Sequence, residues 1–263
     1  MTPDARPVPF RGGGFVRRPR RALSVLGIAG LLALWQVATM AGWANPLFLP
    51  APSSVAAALL ELFRSGALLD HLLASARRIG LGWAIGTILG LAAGLAMGVL
   101  SAARAAGLPL VSAIFPIPKI AVLPLFILWF GIGEPSKVAT IAAGVFFPTA
   151  IAAMAGVDAV PRSLIRMGQS FGLPAAAIVL KIVIPGALPS VLAGFRISAA
   201  IAIILVVAAE MIGADTGLGA FVLQAGNLMR TDQLLAGVVV LSALGLTVAG
   251  AISLAERALL HWR

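Results

Sequence analysis

Cysteine is absent from this 263-residue chain, which excludes disulfide bonds, iron–sulfur clusters and thiolate metal sites. The sequence also lacks a G-x-x-x-x-G-K-[ST] phosphate loop, so the chain should not bind ATP by itself. Its only two histidines, His71 and His261, lie near the ends of predicted helices and form no H-x-x-x-H metal pattern. Because no nucleophile, base and orienting group come together, we predict no catalytic residue, no cofactor and no metal.

Charged side chains are scarce as well. Only 11% of the residues are charged and 60% are hydrophobic, with a mean hydropathy of +1.06. A soluble domain cannot bury that much apolar surface, because polar residues must cover its outside. Apolar runs of about 20 residues match the hydrocarbon core of a bilayer. We therefore predict an all-α polytopic membrane protein with about six transmembrane helices.

The positive residues indicate how the chain is oriented. A net charge of +10 would favour a nucleic-acid partner in a soluble protein, but here the charge lies mostly in tails and loops, so we expect no nucleic acid. With a cytoplasmic N-terminus, most Lys and Arg residues fall on the cytoplasmic side, as the positive-inside rule requires. Both termini and the loop 157–187 are then cytoplasmic. Arg77 and Arg78 are exceptions, because this topology places them outside.

Composition divides the chain into four regions. The basic N-terminal tail is rich in Pro and Gly, and we predict that it is disordered. The apolar run that follows is long enough to span, so a retained anchor is favoured over a cleaved signal peptide. The regions are the N-terminal cytoplasmic tail, 1–21; the first transmembrane helix with an external amphipathic segment, 22–80; the transmembrane domain with its cytoplasmic loop, 81–256; and the C-terminal cytoplasmic tail, 257–263.

Two patterns mark helices inside the transmembrane domain. In the run 81–100, glycines recur every fourth residue, which places them along one side of a helix and permits close approach of a neighbour. The next span, 108–130, holds four prolines that must kink or break it and free backbone carbonyls. A broken helix can line a cavity and move as two halves, or it can be a static kink.

The most informative segment is RMGQSFGLPAAAIVLKIVIP, residues 166–185, which is polar and punctuated by Gly and Pro. The spacing from Gly172 to the Ile-x-Ile-Pro ending resembles the cytoplasmic "EAA" loop of ABC importer permeases. Three further segments resemble the sulfonate, nitrate and taurine branch of that family: PKIAVLPLFILWFGIGEPSK (118–137), PGALPSVLAGFRIS (185–198) and AEMIGADTGLG (209–219).

The resemblance implies a fold, a function and partners. The fold is that of a type I ABC importer permease. The function is the transport of a small solute, an anion such as a sulfonate, taurine or nitrate, across the inner membrane; a vitamin precursor or another small organic solute is the alternative. The implied partners are ABC ATPase subunits in separate chains, a periplasmic or lipid-anchored binding protein, a second copy of this chain in a homodimer, and the bilayer.

In that family the loop forms a short coupling helix that docks on the ATPase. The residues implied for this contact are Arg162, Arg166, Gly168, Gly172, Ile182 and Pro185. Where the family usually has Glu-Ala-Ala, this chain has Arg166-Met167-Gly168. The change reverses a charge, and Gly lowers helix propensity by about 1 kcal/mol relative to Ala. We therefore expect docking through a different charge pattern.

The resemblance also favours a translocation gate at Pro116, Pro118 and Pro124 over a static kink. Glu210 has two open interpretations, because carboxylates inside membrane segments are costly. It either gates the external mouth of the pathway, or it pairs with a nearby Arg or with loop backbone. We expect Lys119 and Arg196 to extend towards cytoplasmic headgroups.

Another class of protein remains open. A secondary transporter or a channel would usually carry coupling acids near the middle of the bilayer. No acidic residue is clearly placed there, which favours the importer permease.

Overall fold

The structure is a computed structural model that describes residues 21–260, and all regular secondary structure in that range is helical. Most of the predicted N-terminal tail and the last residues of the C-terminal tail lie outside the described range. At the C-terminal side, the last helix continues to Leu259, so Arg257 is helical and does not begin a tail. At the N-terminal side, the first helix already begins at Arg21.

The chain divides into two compact units, of which the first ends at Ser54. Its helix α1 (Arg21–Met40) corresponds to the predicted first span. Within this unit the side-chain amide of Gln36 donates to Ser53 Oγ (3.1 Å) and accepts the N–H of Ser53 (3.1 Å). These two bonds tie the end of α1 to the segment that follows it.

The second unit begins at Val55. Helix α2 (Pro52–Arg64) crosses this boundary and is the short amphipathic helix predicted from the sequence. The remaining helices are α3 (Ala67–Val99), α4 (Ser101–Ile114), α5 (Leu123–Phe130), α6 (Glu134–Asp158), α7 (Arg162–Ser170), α8 (Ala175–Ile178), α9 (Ile184–Gly213), α10 (Leu218–Asn227) and α11 (Thr231–Leu259).

Within residues 21–260, four helical stretches are long and apolar enough to cross a membrane. They are α3, α6, α11 and the continuous run Ala175–Gly213, which includes α8 and α9. A fifth candidate is the bent pair formed by α4 and residues 119–130. Helix α1 occupies the position of the remaining predicted span, but its apolar part, Val25–Met40, is shorter than the others.

Helices α3 and α6 form the centre of the second unit, and the row of glycines on α3 faces α6. A Cβ atom added at Gly86 would lie 2.5 Å from the carbonyl oxygen of Ala142, and one at Gly90 would lie 2.5 Å from that of Phe146. The predicted close approach is therefore confirmed, and the neighbour is a helix of the same chain. Around the contact, Ile141 and Val145 on α6 are completely buried.

Candidate functional site

The first part of the segment that resembles the coupling loop belongs to α7, and this helix ends in a Schellman turn. The N–H of Leu173 donates to the carbonyl of Gly168 (3.1 Å), and the N–H of Gly172 donates to the carbonyl of Gln169 (2.9 Å). Gly172 has φ = 69°, the left-handed conformation that this turn requires. A Cβ added at Gly172 would meet nothing within 4 Å. The constraint at this glycine is therefore backbone conformation, and close packing within this chain plays no part.

One face of α7 is fixed to the rest of the unit. Gly168 is buried, and a Cβ there would lie 2.9 Å from Ile182 Cδ1 and 3.3 Å from Ile178 Cγ1. Val160, Ile178 and Val183 form a small buried core beneath the helix, with Ile182 packed against it. The structure thus brings Gly168 and Ile182 close together.

The side of α7 next to this packed side is apolar and exposed. Leu164, Met167 and Phe171 are 41%, 51% and 78% exposed, and their spacing places them on one side of the helix. Arg162 and Arg166 are also exposed. Within the described residues, the Arg166 guanidinium donates no hydrogen bond and forms no ion pair. The side chain that replaces the family's Glu is therefore free to meet a partner.

Pro185 lies at the second position of α9, but it does not start the helical run. The chain is already helical from Ala175, and the residues just before Pro185 form a π-helical turn, Val179–Val183. Because proline has no N–H, it interrupts the regular bonding ladder, and a wider turn accommodates this loss. Much of the predicted loop 157–187 is therefore helical, and the run that continues into α9 already begins at Ala175.

The proline-rich span is broken. Helix α4 ends at Ile114, Pro116 and Pro118 lie in the non-helical link, and Pro124 is the second residue of α5. The two halves are bent by 89°. The break predicted from these prolines is found where they lie, and the backbone carbonyls at the end of α4 lose their helical donors.

Lys119 supplies donors for those carbonyls. Its ammonium group donates to the carbonyl oxygens of Ile114 (2.7 Å), Ile117 (2.8 Å) and Phe115 (3.2 Å). It also lies 4.5 Å from the centre of the Phe147 ring, a cation–π contact. Lys119 therefore satisfies backbone carbonyls that the break leaves without helical donors.

We expected Lys119 and Arg196 to extend towards headgroups, but both side chains bond other groups of the protein. Arg196 forms an ion pair with Glu256 and donates to Ser253 Oγ (3.3 Å), which links α9 to α11. In an apolar span, a nearby acceptor satisfies a cation without the side chain having to reach the interface.

Glu210 is completely buried at the end of α9, and its carboxylate accepts several hydrogen bonds. Ser75 Oγ donates to both of its oxygens (2.8 and 2.9 Å), the N–H of Gly219 donates to Oε2 (2.8 Å), and Arg78 Nη1 donates to Oε1 (2.7 Å). The Gly219 amide belongs to the first turn of α10, where a negative charge is favourable. Glu210 therefore pairs with an Arg and with loop backbone, as the second interpretation expects, and its gating role stays a prediction.

Arg78, which the charge-based topology places on the outer side, is buried among polar partners. Its side chain is only 3% exposed, and besides Glu210 it bonds Glu134 through Nε and Nη2 and the carbonyl of Thr216 through Nη1. Arg78 precedes Gly82 by four residues, so it continues the row of glycines that faces α6. That spacing is the signal that could have identified it as buried.

These groups form no catalytic or metal centre in the part of the chain that the structure describes. No cluster of three or more His, Asp or Glu side chains there could hold a metal ion. The residues predicted for the ATPase contact lie on α7, in the turn after it and near the beginning of the helical run Ala175–Gly213, whereas Glu210 lies near the end of that run.

Comparison with known proteins places this arrangement in a family. Residues 86–261 match the family described as binding-protein-dependent transport system inner membrane component. The chain is 37% identical to the taurine transport system permease protein TauC of Escherichia coli (strain K12), across 91% of this chain and 89% of that protein. It is 34% identical to the putative aliphatic sulfonates transport permease protein SsuC of Bacillus subtilis (strain 168), across 89% and 85%.

The fold is also shared with a solved structure. The MetNI methionine ABC transporter in an inward-facing conformation matches with a TM-score of 0.64 and 23% identity, covering 73% of this chain and 95% of that chain. The resemblance predicted from the sequence motifs is confirmed. This chain belongs to the family of binding-protein-dependent transport system inner membrane components.

Proposed function

We propose that this chain is the permease of an ATP-driven importer for small organic sulfonates. The two relatives described above carry names for taurine and aliphatic sulfonate transport, and they are similar over most of the chain. Two copies of the chain form the pathway, ATP is hydrolysed by separate subunits, and an external binding protein delivers the solute. Both termini and α7 face the cytoplasm.

The observation that carries the coupling proposal is the two-sided character of α7. Gly168 and Ile182 fix one side of the helix to the base of the spans, while the exposed apolar row on the adjacent side has no partner within the described residues. An exposed apolar surface of this kind is typical of a docking site. Arg162 and Arg166 are exposed on another side of the same helix, so an ATPase surface that meets them should present acidic side chains.

The break at Pro116, Pro118 and Pro124 is the proposed moving part of the pathway. Its two halves meet at a sharp bend, and Lys119 bonds the carbonyls that the break leaves free. A helix broken in this way can move as two halves when neighbouring helices shift. We place the outer end of the gate at Glu210, whose partners join α3, α6 and α9.

Docking through α7 can be tested by replacing Phe171, the most exposed member of the apolar row, with Ser. Loss of a buried aromatic contact should weaken co-purification of the ATPase by about tenfold or more. The matched control is Ile132→Ser, because Ile132 is 82% exposed but lies in the link between α5 and α6. Co-purification of tagged permease with the ATPase, followed by quantitative immunoblotting, gives the ratio of the two subunits.

The control variant should retain the wild-type ratio. Equal retention by the Phe171 variant would show that α7 is only a turn between spans, and the coupling proposal would be wrong.

A further inference from the structure

We propose that a pocket in the second unit is a binding site for a zwitterionic aminosulfonate, an inference that rests on sulfonate import as the proposed function. The pocket lies between α2, the start of α3, α10 and the start of α11, and its volume is about 360 Å³. That volume is within the range of small-molecule sites, roughly 300–1,000 Å³. Its walls come from segments that the charge-based topology places outside the membrane, where a solute arrives.

The charged lining of the pocket consists of one acid and one base. Glu61 comes from α2 and Arg230 from the link before α11, and both are exposed. Neither side chain makes a hydrogen bond or an ion pair with any described residue, and they do not pair with each other. The two unpaired charges line the same concave surface.

This arrangement fits a molecule that carries both charges. The planar guanidinium of Arg230 can donate two parallel hydrogen bonds to an oxyanion such as a sulfonate, and Glu61 can accept from an ammonium group. A plain alkylsulfonate could pair with Arg230 but would leave Glu61 without a cationic partner. The pocket therefore selects an aminosulfonate over a sulfonate without the amino group.

The remaining lining suits the rest of such a ligand. The amide side chains of Gln224 and Gln233 provide further donors and acceptors, and buried Leu62 and Phe221 provide an apolar surface for a short carbon spacer. His71 is fixed in the wall, because its ring packs on Phe221 with centroids 5.4 Å apart and its Nδ1 accepts the N–H of Gly217 (3.0 Å).

The wall of the pocket also reaches the buried ion pair of Arg78 and Glu210, because His71 bonds Gly217, which packs against that pair. A Cβ added at Gly217 would lie 2.5 Å from Glu210 Oε1 and 2.6 Å from Arg78 Nη1, so this glycine packs directly against the pair. A ligand that contacts His71 is thus separated from Glu210 by a single backbone residue. The site lies where occupancy can influence the gate.

The test is calorimetric titration of the permease, purified with its ATPase subunits, with taurine, ethanesulfonate and ethylamine. Taurine should bind saturably, and the other two should bind at least about tenfold more weakly, because each lacks one charged group. Glu61→Gln should reduce taurine affinity to that of ethanesulfonate. Arg230→Gln should reduce the affinity for taurine by at least about tenfold. Both side chains are exposed and unpaired, so neither variant should affect folding.

Arg64→Gln and Asp70→Asn are the matched controls, since both residues are exposed and lie outside the pocket. They should bind taurine like the wild-type protein. Wild-type affinity in the Glu61 and Arg230 variants, or equal affinity for taurine and ethanesulfonate, would overturn this inference. If ATP-driven sulfonate uptake persists in that case, the proposed function stands without this pocket; if the wild-type system imports no sulfonate, the proposed function itself fails.

Discussion

Arg78 joins two carboxylates that are far apart in the sequence. Its side chain bonds Glu134 at the start of α6 and Glu210 near the end of α9. Removing charges from water costs several kcal/mol for each ion, and only a full set of partners offsets that cost. Ser75 and the backbone at Thr216 and Gly219 complete the set. The cluster therefore links α3, the start of α6, the end of α9 and the loop between α9 and α10.

Replacing Arg78 with Met should be strongly destabilising, because Glu210 would remain buried without its cation. The expected loss in unfolding free energy is about 3–5 kcal/mol. The matched control is Arg104→Met, which breaks the ion pair with Asp158, whose two side chains are 40% and 43% exposed. Exposed pairs contribute roughly 0–1 kcal/mol, so this variant should stay close to wild type.

The measurement is the midpoint of thermal unfolding of the purified variants in detergent. Similar midpoints for the two variants would mean that burial adds nothing to the Arg78 pair, which would contradict this account.

At the residue scale, the sequence could single out individual residues, but it could not give the contacts that they make. Gly172 was identified by motif spacing, and its left-handed φ explains why a glycine is needed there. The partner of Glu210 could not be chosen, because Arg78 is 132 positions away and only the packing of α3 on α9 brings them together. The contacts of Lys119 exist only after the chain has bent at the prolines, so no local pattern predicts them.

At the scale of helices, the row of glycines on α3 determines how closely α6 can approach. Small residues let two backbones come together, which gives van der Waals contact in a medium where the hydrophobic effect does not drive helix association. A spacing of four residues predicted this face correctly. The sequence could not say whether the neighbour belongs to the same chain or to a second copy, and it proved to be α6.

Gly90→Ala should therefore disrupt the α3–α6 contact, because its Cβ would meet the backbone carbonyl of Phe146 at 2.5 Å. Backbone cannot move aside cheaply, so we expect a loss of about 1–3 kcal/mol and a lower folded yield. Gly80→Ala is the matched control on the same helix, since a Cβ there meets nothing within 4 Å. It should be neutral, or stabilising by roughly 0.5–1 kcal/mol.

Size-exclusion chromatography and thermal unfolding of the two variants measure this difference. A Gly90 variant as stable as the Gly80 variant would show that the helices are not in close contact along this row.

At the scale of the whole molecule, one helical run connects the two candidate sites. The continuous stretch Ala175–Gly213 carries Ile178 and Ile182 beneath α7 and Glu210 near its other end. Ile182 and Glu210 are separated by roughly 40 Å at 1.5 Å per residue. We propose that a displacement of α7 is passed to the gate along this run, whose hydrogen-bond ladder is interrupted by the π turn before Pro185 and by Pro189 inside α9.

Composition alone could predict the all-helical membrane fold, and motif order predicted the family. The span boundaries were less predictable, because helices α3 and α9 extend beyond their apolar segments. The loop predicted at 157–187 became α7 and the start of a long helix, since tertiary packing of Ile178 and Val183 stabilises helix where the sequence has prolines and glycines.

Uptake of radiolabelled taurine into proteoliposomes that contain this chain, its ATPase subunits and its binding protein tests the central claim most directly. Taurine should accumulate only when ATP is supplied on the ATPase side, and this chain alone should hydrolyse no ATP because it lacks a phosphate loop. ATP-independent uptake driven by an ion gradient, or ATP hydrolysis by the isolated chain, would contradict the account.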